Sequence, residues 1–533
     1  MQGKKKFTPQ IFYSTSLEEL VPHDNFYRSL NATLDLHFLY KETKDYYGTE
    51  GNKSIDPVVF FKMLLVAYLN NINSDRAILR FCADSLSVRL FLGYDINEQL
   101  PFHSTISRTR QLFGENTFLK LFQVVLKKCI DKGMVRGKRQ CVDSAFIKAN
   151  ASMDSLIEKD VLEDAVDFVE ELEHNSEFKV SAERKKIVER HHAWKQVAYK
   201  GMPGNTKTER VDEDGQEIRP KFLSNHTHYS PTDPDAKISV KPGKARQLNY
   251  AGQLSVDDAH HVITGACAST AGSKDSAIFA DIMEQTIANF KDNNLEINEV
   301  VCDAGYSSGQ SLQFCEDHNI DAYIPNFGQY KPVRDGFVFN ENMNQYECIK
   351  SGGNKAILSY KGIKTDSKGY EKKVYRSSES TCAKCSLREL CCGKVTKFKK
   401  IDDSIHKPLY DKMHQKLTAN KNYHRLLIKR RSSTVEPVLG TLINYHNMRR
   451  INSRGMQQAN KHVLMAALTY NLKKYLKFIQ RTSKVKSHAV EIQQNISFAI
   501  KWFLASVYRN KMRPVILRNK KISKNTSCLK TKI

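Results

Sequence analysis

Apolar positions recur at helical spacing through the first part of the chain. Phe60, Phe61, Met63, Leu64 and Leu65 follow Asp56-Pro57, an N-cap and first-turn pair. Ser74-Asp75 opens a second helix with Ile78, Leu79 and Phe81 on its apolar side. Ser104 is expected to cap a short helix that carries Arg108 and Arg110 and stops by Gly114. The run of short helices predicts an all-α N-terminal domain over residues 1–135. Beyond it the period shortens. Residues 139–147 and 299–303 are short apolar, β-favouring runs ended by turn signals, as strands buried on both faces require. Residues 248–256 and 262–268 flank Asp257-Asp258-Ala259-His260-His261 and read as a hairpin. A helical pattern at Ile278, Ile282, Ile287 and Phe290, starting near Ser276, precedes the 299–303 strand, and 321–325 adds another. Strand–helix alternation of this kind predicts an α/β core with a mixed sheet, over residues 136–480.

Two stretches break the core pattern. Residues 151–245 are charge-dense, with acids over 158–173 and bases over 179–200. Leu162, Val166, Phe168, Val169 and Leu172 give this charged helical insertion an amphipathic face. His191, His192 and Trp194 fall on its basic half, where adjacent histidines point to different sides and suit DNA or solvent rather than a metal. Over residues 326–430, alternation at 336–339, 345–349 and 372–375 predicts a β-rich insertion. It holds Cys382, Cys385, Cys391 and Cys392. Residues 481–533 read as a basic tail, in part helical.

Composition narrows the class. The chain of 533 residues is 40% hydrophobic and 26% charged, a soluble globular balance, and no run of apolar residues is long enough to span a membrane. No signal-peptide core follows the basic first residues, so a cytoplasmic location is expected, with twelve scattered cysteines as reduced thiols. The formal charge of +25 is unevenly placed: residues 437–533 hold twenty Lys and Arg against the single acid Glu491. That asymmetry points to a polyanion, and without an amphipathic anchor the polyanion is nucleic acid rather than a membrane surface.

Three acids stand out as candidate chemistry. Asp143 lies inside the first strand, where burying a carboxylate requires a partner or a metal. Asp303 ends the 299–303 strand, the position where α/β sheets carry ligand groups, although capping of the next helix explains it equally. Glu436 sits in Val435-Glu436-Pro437-Val438-Leu439-Gly440, which is expected to open a helix running through Tyr445 and Arg449. Together such acids would suit Mg2+ or Mn2+. Asp275, at a helix start, reads as a structural first-turn acid in preference to a catalytic one.

The set Cys141-Val142-Asp143, Cys302-Asp303-Ala304-Gly305-Tyr306 and 435–440 resembles bacterial insertion-sequence DDE transposases. Ser54-Ile55-Asp56-Pro57, His103-Ser104-Thr105-Ile106-Ser107-Arg108 and residues 230–236 agree with it, so the likeness covers roughly residues 15–480 in order. The resemblance implies an RNase H-like core, binding of double-stranded DNA at element ends and target, and strand cleavage and transfer by a homodimer or larger synaptic assembly near the nucleoid. Asp143, Asp303 and Glu436 would be the catalytic metal ligands. Many relatives carry Lys or Arg about seven residues after the glutamate, where this chain has Ile443 and Asn444. Arg108, Arg110, Arg449, Arg450, Arg454 and Lys461 are the candidate DNA contacts, while the N-terminal helices also fit a plain scaffold. The cysteines have spacing for structural Zn2+, with Cys392, Cys348 or His406 open as the fourth ligand, or are unliganded thiols. Two alternatives to a transposase remain at this level: a nuclease that cuts without joining, and an inactive relative kept as a DNA-binding protein.

Overall fold

A computed structural model describes residues 15–48, 50, 54–158, 224–239, 246–328, 330–350, 352–366 and 369–482. The amphipathic face at 162–172, His191, His192, Trp194 and the tail beyond 482 lie outside these residues. The N-terminal part is helical: α1 Leu17–Leu20, α2 Phe26–Thr33, α3 Phe38–Thr43, α4 Pro57–Leu69, α5 Asp75–Asp84, α6 Leu86–Leu92, α7 His103–Leu112 and α8 Glu115–Asp131. Asp56 caps α4 as expected, its Oδ1 accepting from the amides of Val58 and Val59 at 2.7 and 3.2 Å. Ser74 caps α5 in the same way. Ser104 does not: α7 begins one residue earlier, at His103, with Phe102 before it and no side-chain cap. Phe60, Phe61, Phe113 and Phe118 form the aromatic centre, with ring centroids 5.1 to 5.8 Å apart.

The core sheet follows. Its strands are β1 Arg139–Lys148, β4 Lys237–Ser239, β5 Gln247–Asp257, β6 Ile263–Thr270, β7 Glu299–Val301 and β8 Asp321–Tyr323, while β2 Ile157–Glu158 and β3 His228–Tyr229 pair apart. Helix α9, Asp275–Lys291, leads to β7, and α10, Gly309–Asp317, leads to β8. The order is β4-β5-β1-β7-β8, with β6 also on β5. β5 runs antiparallel to β1 and β6, as the hairpin pattern predicts, whereas β7 and β8 are parallel to β1. Arg139 pins that parallel register: it faces Glu299 across the strands and pairs with Glu299 at 2.7 Å and Asp258 at 3.1 Å. Pairing of β1 with β7 stops at Cys141 opposite Val301. Past that point this edge of β1 borders a cleft, and Asp143 lies just inside it.

The β-rich insertion is a five-stranded antiparallel sheet of β9 Phe337–Asn340, β10 Gln345–Cys348, β11 Ile357–Thr365, β12 Glu371–Ser377 and β13 Lys400–Ser404. Phe337, Tyr346, Leu358, Tyr375 and Ile401 form its own small core on one face. Short helices α11, Glu379–Ala383, and α12, Arg388–Cys392, carry the cysteines. The chain then rejoins the main sheet through α13, Lys407–Ala419, whose Lys412 reaches Glu316 of α10 and whose Lys416 donates to the carbonyl of Ala322 in β8.

Helix α14, Lys421–Tyr445, lies across β1 and β5 and differs from expectation at both ends. It starts at Lys421 rather than near Val435, and Pro437 is inside it. The buried stripe Leu427, Thr434, Val435, Val438, Leu439 and Leu442 holds the helix against the sheet across the proline. It ends at Tyr445, because Asn447 turns left-handed (φ 60°), so Arg449 and Arg450 lie in the connection that follows. A further helix, α15, covers 456–482. Residues up to Lys474 form one compact unit and Tyr475–Ile533 a second, of which the described part is the end of α15. Within the first unit the N-terminal helices are sealed to the core by buried polar contacts. His462 joins the Tyr68 hydroxyl (2.6 Å) to the Asn447 carbonyl (2.9 Å), and Asn447 Nδ2 donates to the carbonyls of Ala67 and Ile72.

Candidate active site

β1 places Asp143 among apolar neighbours, and α14 supplies its partner. Arg431 Nη1 donates to Asp143 Oδ2 at 2.7 Å, with the two side chains only 13% and 17% exposed. Asp143 Oδ1 accepts from the Ser144 amide at 2.8 Å. Burial raises the Asp143 pKa above the ordinary carboxylate value; Arg431 opposes this, and the nearby charge of Asp303 adds to it. Asp303 stands just beyond the end of β7. Its Oδ1 accepts from the Gly305 amide at 2.9 Å, capping a single helical turn, Ala304–Tyr306. Capping and facing the cleft are thus compatible roles. Asp143, Asp275, Asp303, Ser307, Tyr370 and His406 are among the residues that line one open cavity of about 870 Å3. Gly305 keeps its middle open: a Cβ there would stand 3.0 Å from Asp303 Oδ1 and 3.3 Å from Asp275 Oδ2. Behind the carboxylates Cys302 and Tyr306 are buried, which pushes both pKa values well up and keeps them neutral.

The structure therefore brings Asp143 and Asp303 together and adds Asp275. It does not bring Glu436 to the cavity wall. Glu436 is exposed on α14, five residues after Arg431 and so about 140° further round the helix. Among the described residues no three His, Cys, Asp or Glu side chains already stand together as a metal-binding group. The cation paired with Asp143 is the Arg431 guanidinium. Sequence reasoning missed Arg431, whose signal was two arginines, Arg430 and Arg431, interrupting the apolar stripe of α14.

The candidate DNA contacts separate into two groups. Arg108, Arg449, Arg450 and Arg454 are exposed, and the last two also bond to Asn150 near the end of β1. Arg110 is held by Asp75 at 2.5 and 3.1 Å. Lys461 does not fit the expectation of a DNA contact. It is 2% exposed, donates to the Arg110 carbonyl at 3.1 Å and lies against Phe118, because its face of α15 packs on the N-terminal helices. Cys348, Cys382, Cys385, Cys391 and Cys392 do line one cavity, with Lys350 donating to Cys391 Sγ at 3.6 Å. His406 is excluded as their partner, since it packs on Gly309 in the wall of the acidic cavity.

A basic trough on the outer face of the insertion sheet was not foreseen. Lys355, Lys361, Lys364, Arg376 and Lys400 line it. Arg376 pairs with Glu379 and Lys400 with Asp402, whereas Lys355, Lys361 and Lys364 have no ion pair among the described residues. β11 runs from this trough to the acidic cavity, which Thr365 and Glu371 also line.

This is an α/β protein whose acidic cleft opens beside the ends of parallel strands, with a helical N-terminal region and a basic trough on its insertion sheet. Residues 15–112 match the model of a Transposase domain (DUF772), and residues 352–476 match that of a Transposase DDE domain. The two matches bear out the resemblance to insertion-sequence DDE transposases. The second covers Glu436, Cys382, Cys385, Cys391 and Cys392, while Asp143, Asp303 and Cys348 lie outside both. No curated protein matches the chain. Among the described residues no helix is long and apolar enough to cross a membrane.

Proposed function

We propose that the chain binds the terminal inverted repeats of its own element, cuts the DNA there and joins the ends to target DNA, using a divalent cation held by Asp143, Asp303 and Glu436. The observation that carries this reading is the meeting of Asp143 and Asp303 in one cavity, in a chain with two transposase-domain matches. The strand order β6-β5-β1-β7-β8, with β5 alone antiparallel to its neighbours, supports an RNase H-like core. The chemistry of the donors suits Mg2+ or Mn2+: Asp143 and Asp303 offer carboxylate oxygens in the cavity, and Glu436 would add a third from outside its wall. When bound, such an ion activates water or a 3′-hydroxyl and stabilises the leaving oxygen.

The chain's own residues set up the rest. Arg431 pairs with Asp143 and holds its carboxylate at the cleft, where a cation would compete with the guanidinium for it. For Glu436 to join Asp143 and Asp303, its side chain, exposed on α14, would have to come over the cleft. Arg108, Arg449, Arg450, Arg454 and the lysines of the trough lie along DNA phosphates. Synapsis of two ends calls for a dimer or larger assembly, working beside chromosomal DNA in the bacterial cytoplasm. The cysteine cavity supports a structural Zn2+ on Cys382, Cys385 and two of Cys348, Cys391 and Cys392. A strand-transfer assay with precut element ends, target plasmid and Mg2+ tests the reading: joined products are expected. Nicks without joining would make the protein a nuclease, and binding without either would make it a DNA-binding relative.

A further inference from the structure

Asp275 occupies the first turn of α9, where an acid ordinarily serves the helix dipole or caps the helix. Its charge lies at the positive end of that dipole, but its side chain does not cap the helix: α9 has Lys274 at its N-cap and no side-chain cap hydrogen bond. Instead Asp275 Oδ1 accepts from Ser144 Oγ of β1 and from Gln253 Nε2 of β5, both at 2.9 Å. Gln253 is 1% exposed, and its Oε1 accepts from the hydroxyl of fully buried Tyr306 at 2.5 Å. With the amide oxygen taken by that hydroxyl, the amide nitrogen is left to face Asp275. The network thus anchors one oxygen of Asp275 and leaves Oδ2 at the cavity. From the two distances to the Gly305 Cβ position, 3.3 and 3.0 Å, Asp275 Oδ2 and Asp303 Oδ1 lie no more than 6.3 Å apart.

Two further observations concern the same cavity. Ser307 Oγ, in the wall of the same cavity, is buried and has no hydrogen-bond partner. Asp275 itself has no ion pair among the described residues: Arg431 is on Asp143, and Lys274 is turned to the Tyr370 hydroxyl. A carboxylate oxygen held in a cleft beside a second carboxylate, with no ion pair of its own, is favourably placed to bind a cation.

We propose that Asp275 is a further acid of the active site, held by Ser144 and Gln253, and that its free oxygen binds the same divalent cation as Asp143 and Asp303. The proposal rests on the reading of this cavity as a metal-dependent DNA-cutting site. Asp275 is set in advance by its hydrogen bonds, whereas Glu436 has to turn in from the surface of α14. Gln253, Tyr306 and Ser144 are positioning residues: they act on the cation only through Asp275.

The test is Mn2+ binding to the full chain, read by electron paramagnetic resonance without DNA, together with thermal melting in chelator. D275N keeps an oxygen for Ser144 and Gln253 but loses the charge. It is expected to weaken Mn2+ binding at least tenfold while melting without metal at the wild-type temperature or higher. Y306F, which frees the Gln253 amide to turn, is expected to weaken Mn2+ binding by a smaller factor, as is S144A. D143N and D303N serve as the reference. If both lose Mn2+ and D275N binds it like wild type, Asp275 is a structural acid and the proposal fails while the site stands. If neither reference variant loses Mn2+, or the wild type binds none, the reading of the cavity fails and the proposal with it.

Discussion

At Asp143 burial and an arginine act in opposite directions. Burial lifts its pKa above the usual carboxylate value, and Arg431 at 2.7 Å pulls it back without fully cancelling the rise. A cation needs the ionised form, so Mn2+ affinity is expected to fall on acidification from a pH above the ordinary carboxylate range. In R431Q the restraint is gone, Asp143 protonates at higher pH still, and the acid limb of the Mn2+ affinity profile moves up. Titrations between about pH 5 and 8 on both proteins decide it: coincident acid limbs would mean that Arg431 does not control Asp143. Asp143 and Asp303 were legible in sequence because an acid inside or ending a β-favouring run is conspicuous. Arg431 and Asp275 were not, since each gains its meaning from a contact made over a long chain separation. The same holds for Lys461, which reads as a basic surface residue until α15 is packed against α7 and α8.

Elements with an uninterrupted period were readable, and those that break it were not. The hairpin of β5 and β6 and the capped helix α4 formed as their alternation and Asp56-Pro57 predict. The start of α14 was missed because Pro437 suggests a boundary, although burial on both sides of it keeps one helix continuous. Gly137 governs how β1 enters the sheet. It adopts φ 78°, and a Cβ there would meet the Glu296 carbonyl oxygen at 2.7 Å, a backbone atom with little room to move. G137A is expected to lower stability by about 1–3 kcal/mol in denaturant titrations, and an unchanged midpoint would show that β1 and the 296 loop separate easily. For the cysteine module, elemental analysis of protein purified without chelator is expected to give one zinc per chain, lost in C382S or C385S. A metal content near zero removes the structural zinc.

Over the whole molecule, charge was the clearest sequence signal and its placement the least clear. The +25 total and the basic residues past 437 point to nucleic acid, yet the trough of Lys355, Lys361 and Lys364 depends on strand register across the insertion sheet. Phosphate contacts position DNA without reading bases, so K361E/K364E is expected to weaken binding to element-end and random duplex alike. The slope of log affinity against log salt is expected to become shallower by roughly 2 units, at about 0.9 per lost phosphate contact. An unchanged slope would make the trough a solvated sheet face. The most direct test of the central claim is Mg2+-dependent cleavage of element-end DNA by D143N, D303N and E436Q, each first shown to bind that DNA. Cleavage is expected to vanish in all three while binding stays near wild type, including in E436Q, whose parent residue is exposed on α14 and does not line the cavity. Near wild-type cleavage by any one of them would contradict the assignment of that acid, and by all three would contradict the active site itself.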